Sequence, residues 1–89
     1  MNAARIAIFQ KALDEVLELR VRSPEFSIAQ SMELQLRYLI DVESGRNPDR
    51  SRLKDIILGV LAAKEFETHP LAETLFPAAA EADAMLHGR

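Results

Sequence analysis

The chain contains no cysteine and no tryptophan, and its 89 residues include one tyrosine, four phenylalanines, three glycines and four prolines. Without thiols there is no disulfide and no thiolate nucleophile, a composition that suits a reducing compartment. No apolar run approaches the roughly 20 residues of a membrane-spanning helix. The run from Ala3 to Phe9 carries Arg5 and is followed by Lys11, Asp14 and Glu15, so it lacks the apolar segment and cleavage site of a signal peptide. A cytoplasmic protein with no membrane partner is expected.

Chemistry-bearing motifs are equally scarce. There is no glycine-rich phosphate loop and no nucleophile elbow. The two histidines, His69 and His87, form no ligand pattern; Glu65 and His69 lie four apart, but two ligands do not make a metal site. Acid pairs such as Asp14-Glu15 read as solvated helix charges with no sign of a cleft around them. No metal, no cofactor and no enzymatic activity are therefore expected. A net charge of -3 and a pI near 5.3 weigh against nucleic acid as the main partner.

What is present is helical periodicity. The length suits one domain, residues 1–89, with a thin core. Asn2 can cap a first helix running to about Val21, in which Ile6, Phe9, Leu13, Val16 and Leu17 share one stripe. Ser23-Pro24-Glu25 breaks it. A second helix is expected from Ile28 to about Ser44, with Ser27 as the favoured cap and Gln30 at capping-box spacing. Ile28, Met32, Leu36, Leu39 and Ile40 cluster on its apolar side, widened by Leu34, Tyr38 and Val42. Gln30, Glu33, Arg37, Asp41 and Ser44 form the wet strip, while Ser31 and Gln35 fall inside the apolar arc and need hydrogen-bond partners there.

Gly45 suits the left-handed position after a helix end, and Asn47-Pro48-Asp49 suits the start of a third helix reaching about Glu67. Helices two and three then form an antiparallel hairpin that pairs Asp41 and Glu43 with Arg46, Arg50, Arg52 and Lys54. Residues 56–63 carry no polar side chain, so the third helix is expected to be the most buried. Leu53, Ile56, Ile57, Val60 and Ala63 make its main stripe, towards which Lys64 projects; Leu58, Gly59, Ala62 and Phe66 make a second arc. Gly59, with Ala62 and Ala63, leaves a shallow place for another backbone or a large side chain. After Thr68-His69-Pro70 a fourth segment begins, Pro77 interrupts it, and Ala78 to Leu86 form a last helix with Ala79, Ala82, Met85 and Leu86 inward. The fold expected is all-α: a small antiparallel bundle of about four helices.

The central stretch also resembles a known family. Ser31-x-Glu33-x-Gln35-Leu36-x-Tyr38, Asp49-Arg50-Ser51-x-Leu53 and Leu58-Gly59-x-x-Ala62-x-Lys64-Glu65-Phe66-Glu67 stand in register from Ser31 to Glu67, about two-fifths of the chain. They are similar to bacterial immunity proteins that accompany type VI secretion effectors, the best known effector being a toxin that hydrolyses NAD(P)+. The resemblance implies a small helical protein that binds a cognate effector toxin domain and blocks its active site. The chain itself is expected as a monomer or a homodimer.

A site that binds a phosphate-bearing substrate is electropositive, and an inhibitor plugging it does well to present carboxylates. Glu65, Glu67 and Glu73, around the end of the third helix, are the candidates, with Glu33 and Asp41 on the wet strip. Tyr38 and Phe66 supply apolar anchors, and Gly59 the shallow groove. Two other readings compete. The second arc of helix three can serve a homodimerising adaptor, and Arg46, Arg50, Arg52 and Lys54 can serve a nucleic-acid binder, against which Asp41, Glu43, Asp49 and Asp55 count.

Overall fold

Asn2 opens the first helix as its sequence position predicts: in the computed structural model, which describes residues 1–89, its side-chain oxygen accepts the Arg5 N–H at 3.0 Å. Helix α1 spans Ala3–Arg22 and closes with the Ser23 N–H on the Leu19 carbonyl at 2.8 Å. Phe9, Ala12, Leu13 and Val16 are buried along it, with Ile6 and Leu17 packed at the edge. Helix α2 spans Ser27–Glu43. Its N-cap is Phe26, with no side-chain cap; the expected Ser27 cap gives way to packing, because Phe26 stands edge-on to Phe66 with ring centroids 5.7 Å apart. Met32, Leu36, Leu39, Ile40 and Val42 are buried. Each fully buried residue of that size contributes roughly 1.5–3 kcal/mol. Leu34 is 62% exposed, so the apolar arc of α2 is narrower than its sequence pattern predicts. Gly45 takes φ +85° just past the helix end, as expected.

The expected third helix does not run unbroken from residue 48 to 67. It is divided into a 3₁₀ turn, Leu53–Asp55, and a short helix α3, Leu58–Glu65. Ile56 is extended between them, with φ -70° and ψ 126°. The break has a packing reason. Leu53 and Leu58 are both buried, yet five residues of regular helix set two side chains about 140° apart. Breaking the helix at 56–57 lets both face the core. The stripe assignment reverses with it: Leu58, Ala62 and Phe66 are buried, whereas Ile57, Val60 and Ala63 are exposed, and so is Lys64. The segment is thus not the most buried of the fold.

Helix α4 spans Ala72–Leu86 and continues through Pro77. Proline removes one donor, which leaves the Glu73 carbonyl without its helical partner. Both residues are exposed, so the carbonyl is not buried without a partner and the helix is not interrupted. Leu75, Ala78, Ala82 and Met85 face inward, while Leu86 is exposed.

The expected hairpin of the second and third helices is absent. Helix α1 packs on α2 and α4, and α3 packs on α4, giving two helical hairpins joined along α1 and α4. The linker 44–57 crosses from one to the other. The result is an all-α bundle of four helices without strands, measuring 33 × 22 × 21 Å, with twenty buried residues, every one apolar.

Candidate functional site

The motif residues of α2 hold the linker in place. Gln35 Oε1 accepts the Ile57 N–H at 2.8 Å while Gln35 Nε2 donates to Ser31 Oγ at 3.2 Å. One turn on, the Tyr38 hydroxyl donates to the Asp49 carbonyl at 2.8 Å and accepts the Arg52 N–H at 3.2 Å. Within the linker, Asn47 Oδ1 accepts the Asp49 N–H and Asp49 Oδ1 accepts the Ser51 N–H, each at 2.9 Å. Hydrogen bonds from the Ser51 hydroxyl and backbone N–H hold the Asp49 carboxyl below its ordinary value. Arg50 donates to the Met85 carbonyl at the end of α4, 3.1 Å away. Two shallow clefts flank this linker. Leu34, Gln35, Tyr38, Arg52, Asp55 and Ile56 line one of about 240 Å³. The other, about 220 Å³, lies between α3 and α4 and includes Ile57, Gly59, Val60 and Leu86.

The bundle has two electrically different ends. At one, Arg5 bonds Glu43 at 2.9 Å, Glu81 at 2.8 Å and the Arg89 carbonyl at 2.7 Å, joining α1, α2 and α4. The bond to Glu81, with help from Glu43, raises the Arg5 pKa. Burial pushes Glu43 up, but Arg5 and the Asn2 N–H outweigh it and leave the carboxyl below its ordinary value. Of the basic linker residues, Arg46 follows α2 at this end and Arg50 reaches the end of α4, whereas Arg52 lies beside Gln35 in the middle of α2 and Lys54 lines the α3–α4 cleft; of the expected helix-two pairings only Arg46–Asp41 forms, at 3.1 Å.

At the other end the end of α1 and the α1–α2 turn meet the α3–α4 turn. The Phe26–Phe66 contact and a second edge-on contact, Phe66 to His69 at 5.4 Å, hold it together. A cleft of about 360 Å³ opens between α1 and this turn, lined by Glu15, Glu18, Leu19, Arg22, Ser23, His69, Pro70 and Leu71. Glu15 Oε2 is closed off from solvent and has no hydrogen-bond partner. The expectation that Asp14-Glu15 has no cleft around it is corrected for Glu15. Glu25, Glu65, Glu67 and Glu73 surround this end, and none of them makes an ion pair.

The expected partner-binding residues divide accordingly. Glu65, Glu67 and Glu73 are exposed and stand together around the α3–α4 turn. Phe66 is only 4% exposed; it belongs to the core rather than to a contact surface, because its ring closes the gap between the two turns. Tyr38 is half-buried with its hydroxyl occupied by the linker. Gly59 lies in the α3–α4 cleft, where an added Cβ meets Ala79 Cβ at 3.4 Å. Glu33 is clamped by Arg37 and Arg20, whose hydrogen bonds hold its carboxyl below the ordinary range. Asp41 faces Arg46 on the side of the bundle formed by α1 and α2. The structure therefore gathers Glu65, Glu67 and Glu73 around the buried Phe66 and separates Glu33, Tyr38, Asp41 and Gly59 from them.

Sequence reading missed Glu15 and Glu18 as members of the acidic end. Their helical spacing puts them on the outer side of α1, and only the fold shows that the α3–α4 turn lies against it. No three His, Asp or Glu side chains converge to hold a metal ion, and no helix is long and apolar enough to cross a membrane.

A family model described as Tsi6 matches residues 4–86. The chain is 39% identical over 66 residues to the immune protein Tsi6 of Pseudomonas aeruginosa, a match covering 73% of this chain and 70% of that protein. Among solved structures it is similar to that of Tsi6 from Pseudomonas aeruginosa, with a TM-score of 0.82 and 32% identity over 88% of this chain and 83% of the other.

Proposed function

Because the chain belongs to the Tsi6 family of type VI secretion immunity proteins, we propose that it binds the toxin domain of a cognate effector and occludes its active site, without chemistry of its own. The observation that carries this reading is the family match from residue 4 to residue 86, which takes in all four helices almost entirely. The protein acts in the cytoplasm as a stoichiometric inhibitor, with no cofactor and with neither nucleic acid nor membrane as its partner.

The acidic end supports a finer statement. Glu65, Glu67 and Glu73 stand free of ion pairs around one turn, a surface that complements an electropositive, phosphate-binding cleft. A toxin that consumes NAD(P)+, or acts on another nucleotide, has such a cleft. Co-expression tests the reading: cells making the effector domain encoded beside this chain survive when the chain is present. Equal killing with and without it overturns the proposal.

One observation favours a second reading. Ile57, Val60 and Leu86 are exposed around the α3–α4 cleft, an apolar surface suited to a second copy of the chain. Light scattering across a concentration series decides it, and a strict monomer removes it.

A further inference from the structure

Taking the toxin-binding reading as its premise, we propose that the cleft between the C-terminal half of α1 and the α3–α4 turn seats a cationic side chain of the effector domain, an arginine, against Glu15. Glu15 lines this cleft, and its Oε2 is shut off from water yet accepts no hydrogen bond. Native proteins leave few buried polar atoms in that condition, because the lost hydration is not replaced.

The neighbouring groups do not relieve it. Arg22 is committed to Glu18 at 2.6 Å, and Lys11, one turn before Glu15, makes no ion pair. His69 Nδ1 accepts the Leu71 N–H at 3.0 Å. The cleft thus presents one carboxylate without an ion-pair partner beside about 360 Å³ of space.

Its shape and surroundings select the occupant. Leu19, Pro70 and Leu71 give the walls apolar surface. A planar, weakly hydrated guanidinium fits such walls better than a compact, strongly hydrated ammonium, and once the Glu15 side chain turns its covered oxygen towards the cleft it can engage the carboxylate with two parallel N–H donors. The unpaired acids around the α3–α4 turn add a field that draws a cationic surface towards the mouth.

The test measures binding of the catalytically silenced effector domain encoded beside this chain to the parent, Glu15→Gln and Glu15→Asp, with thermal melting of each free protein. Glu15→Gln keeps the side-chain shape and removes the charge. It is expected to weaken binding about tenfold or more, mainly through faster dissociation. Its own melting temperature stays level or rises, since Glu15 makes no ion pair or hydrogen bond through Oε2 that the amide would lose. Glu15→Asp keeps the charge but withdraws it by one methylene, and gives an intermediate loss. Parent-like dissociation of both variants overturns the inference and leaves the toxin-binding reading standing; should Glu15→Gln fail to fold, parent-like dissociation of Glu15→Asp alone overturns it. Failure of the parent chain to bind the domain removes the reading and the inference together.

Discussion

The side-chain carbonyl of Gln35 accepts the backbone N–H of Ile57 at 2.8 Å, fastening the middle of α2 to the start of α3. That N–H has no helical acceptor, because the chain breaks at Ile56 before α3 begins. Gln35→Leu keeps the bulk and removes the acceptor. It is expected to cost about 1 kcal/mol, with water supplying part of the loss at this half-buried site. Hydrogen exchange at the Ile57 amide should accelerate more than exchange elsewhere in α3, and an unchanged rate there would show that the bond does not hold the segment.

Arg5 is the corresponding fastener at the opposite end. Its guanidinium reaches one carboxylate on α2, one on α4 and the C-terminal carbonyl, with only 12% of the side chain exposed. Arg5→Met preserves the stem but strands Glu43, which is equally covered. A loss on the order of 2–3 kcal/mol is expected, since hydrogen bonds to charged groups are worth more than neutral ones and a covered charge loses its partner. Urea unfolding measures it, and a midpoint equal to the parent's contradicts the role given to Arg5.

The third apolar segment separates what was legible in the sequence from what was not. Periodicity located α1, α2 and their buried faces, because each is a long helix with one core stripe. Residues 56–63 have no polar side chain, so pattern alone gives no facing direction. The stripe that spacing favours includes Val60, which is 52% exposed, whereas Leu58 and Ala62 are fully buried. Gln35 and Ser31 stood out as polar residues on an apolar arc, yet their partner at Ile57 depends on the helix break, which no local signal marks. The three C-terminal acids were legible as a group. Glu15 was not, because the α3–α4 turn that makes its cleft lies more than fifty residues away in sequence.

This reversal is directly measurable. Val60→Asp is expected to change stability by no more than about 0.5 kcal/mol, as for an ordinary surface substitution. Ala62→Asp buries an unpaired carboxylate beside α4 and should prevent stable folding. Thermal melts of the two variants give opposite results if the described face is right. Gly59→Ala meets Ala79 Cβ at ordinary contact distance and is expected to be neutral, or to stabilise by up to about 1 kcal/mol through helix propensity.

Acid should weaken the fold chiefly through two partly covered carboxylates, Asp49 being fully exposed. Hydrogen bonds from Arg37 and Arg20 lower Glu33, and those from Arg5 and the Asn2 N–H lower Glu43 against the opposing effect of burial. A carboxylate that is more acidic when folded stabilises the native state above its unfolded pKa, and that stability is lost as pH falls through the folded value. The urea midpoint should therefore be flat near neutrality and decline below about pH 4.3, the ordinary glutamate value. A variant carrying Glu33→Gln and Glu43→Gln should start lower and decline less. An equal acid decline in both proteins would place the titrating groups elsewhere.

The same molecule offers a test of how the toxin is approached. Glu65 and Glu67 flank the buried Phe66 at the end of α3, exposed and without ion pairs. Reversing both to lysine changes the charge of the acidic end by four units while leaving every core residue in place. The fold should survive, because neither side chain is buried or paired. If this end faces an electropositive cleft, association slows and dissociation changes little, since exposed charges at an interface rim act mainly during approach. The slowing should shrink as salt rises, because the Debye length falls from about 30 Å at 0.01 M to about 10 Å at 0.1 M. Stopped-flow association rates at three salt concentrations, with melting curves as the control, read both effects. A folded double reversal that associates as fast as the parent at low salt moves the contact away from the α3–α4 turn. The apolar α3–α4 cleft with Ile57, Val60 and Leu86 is then the next surface to probe.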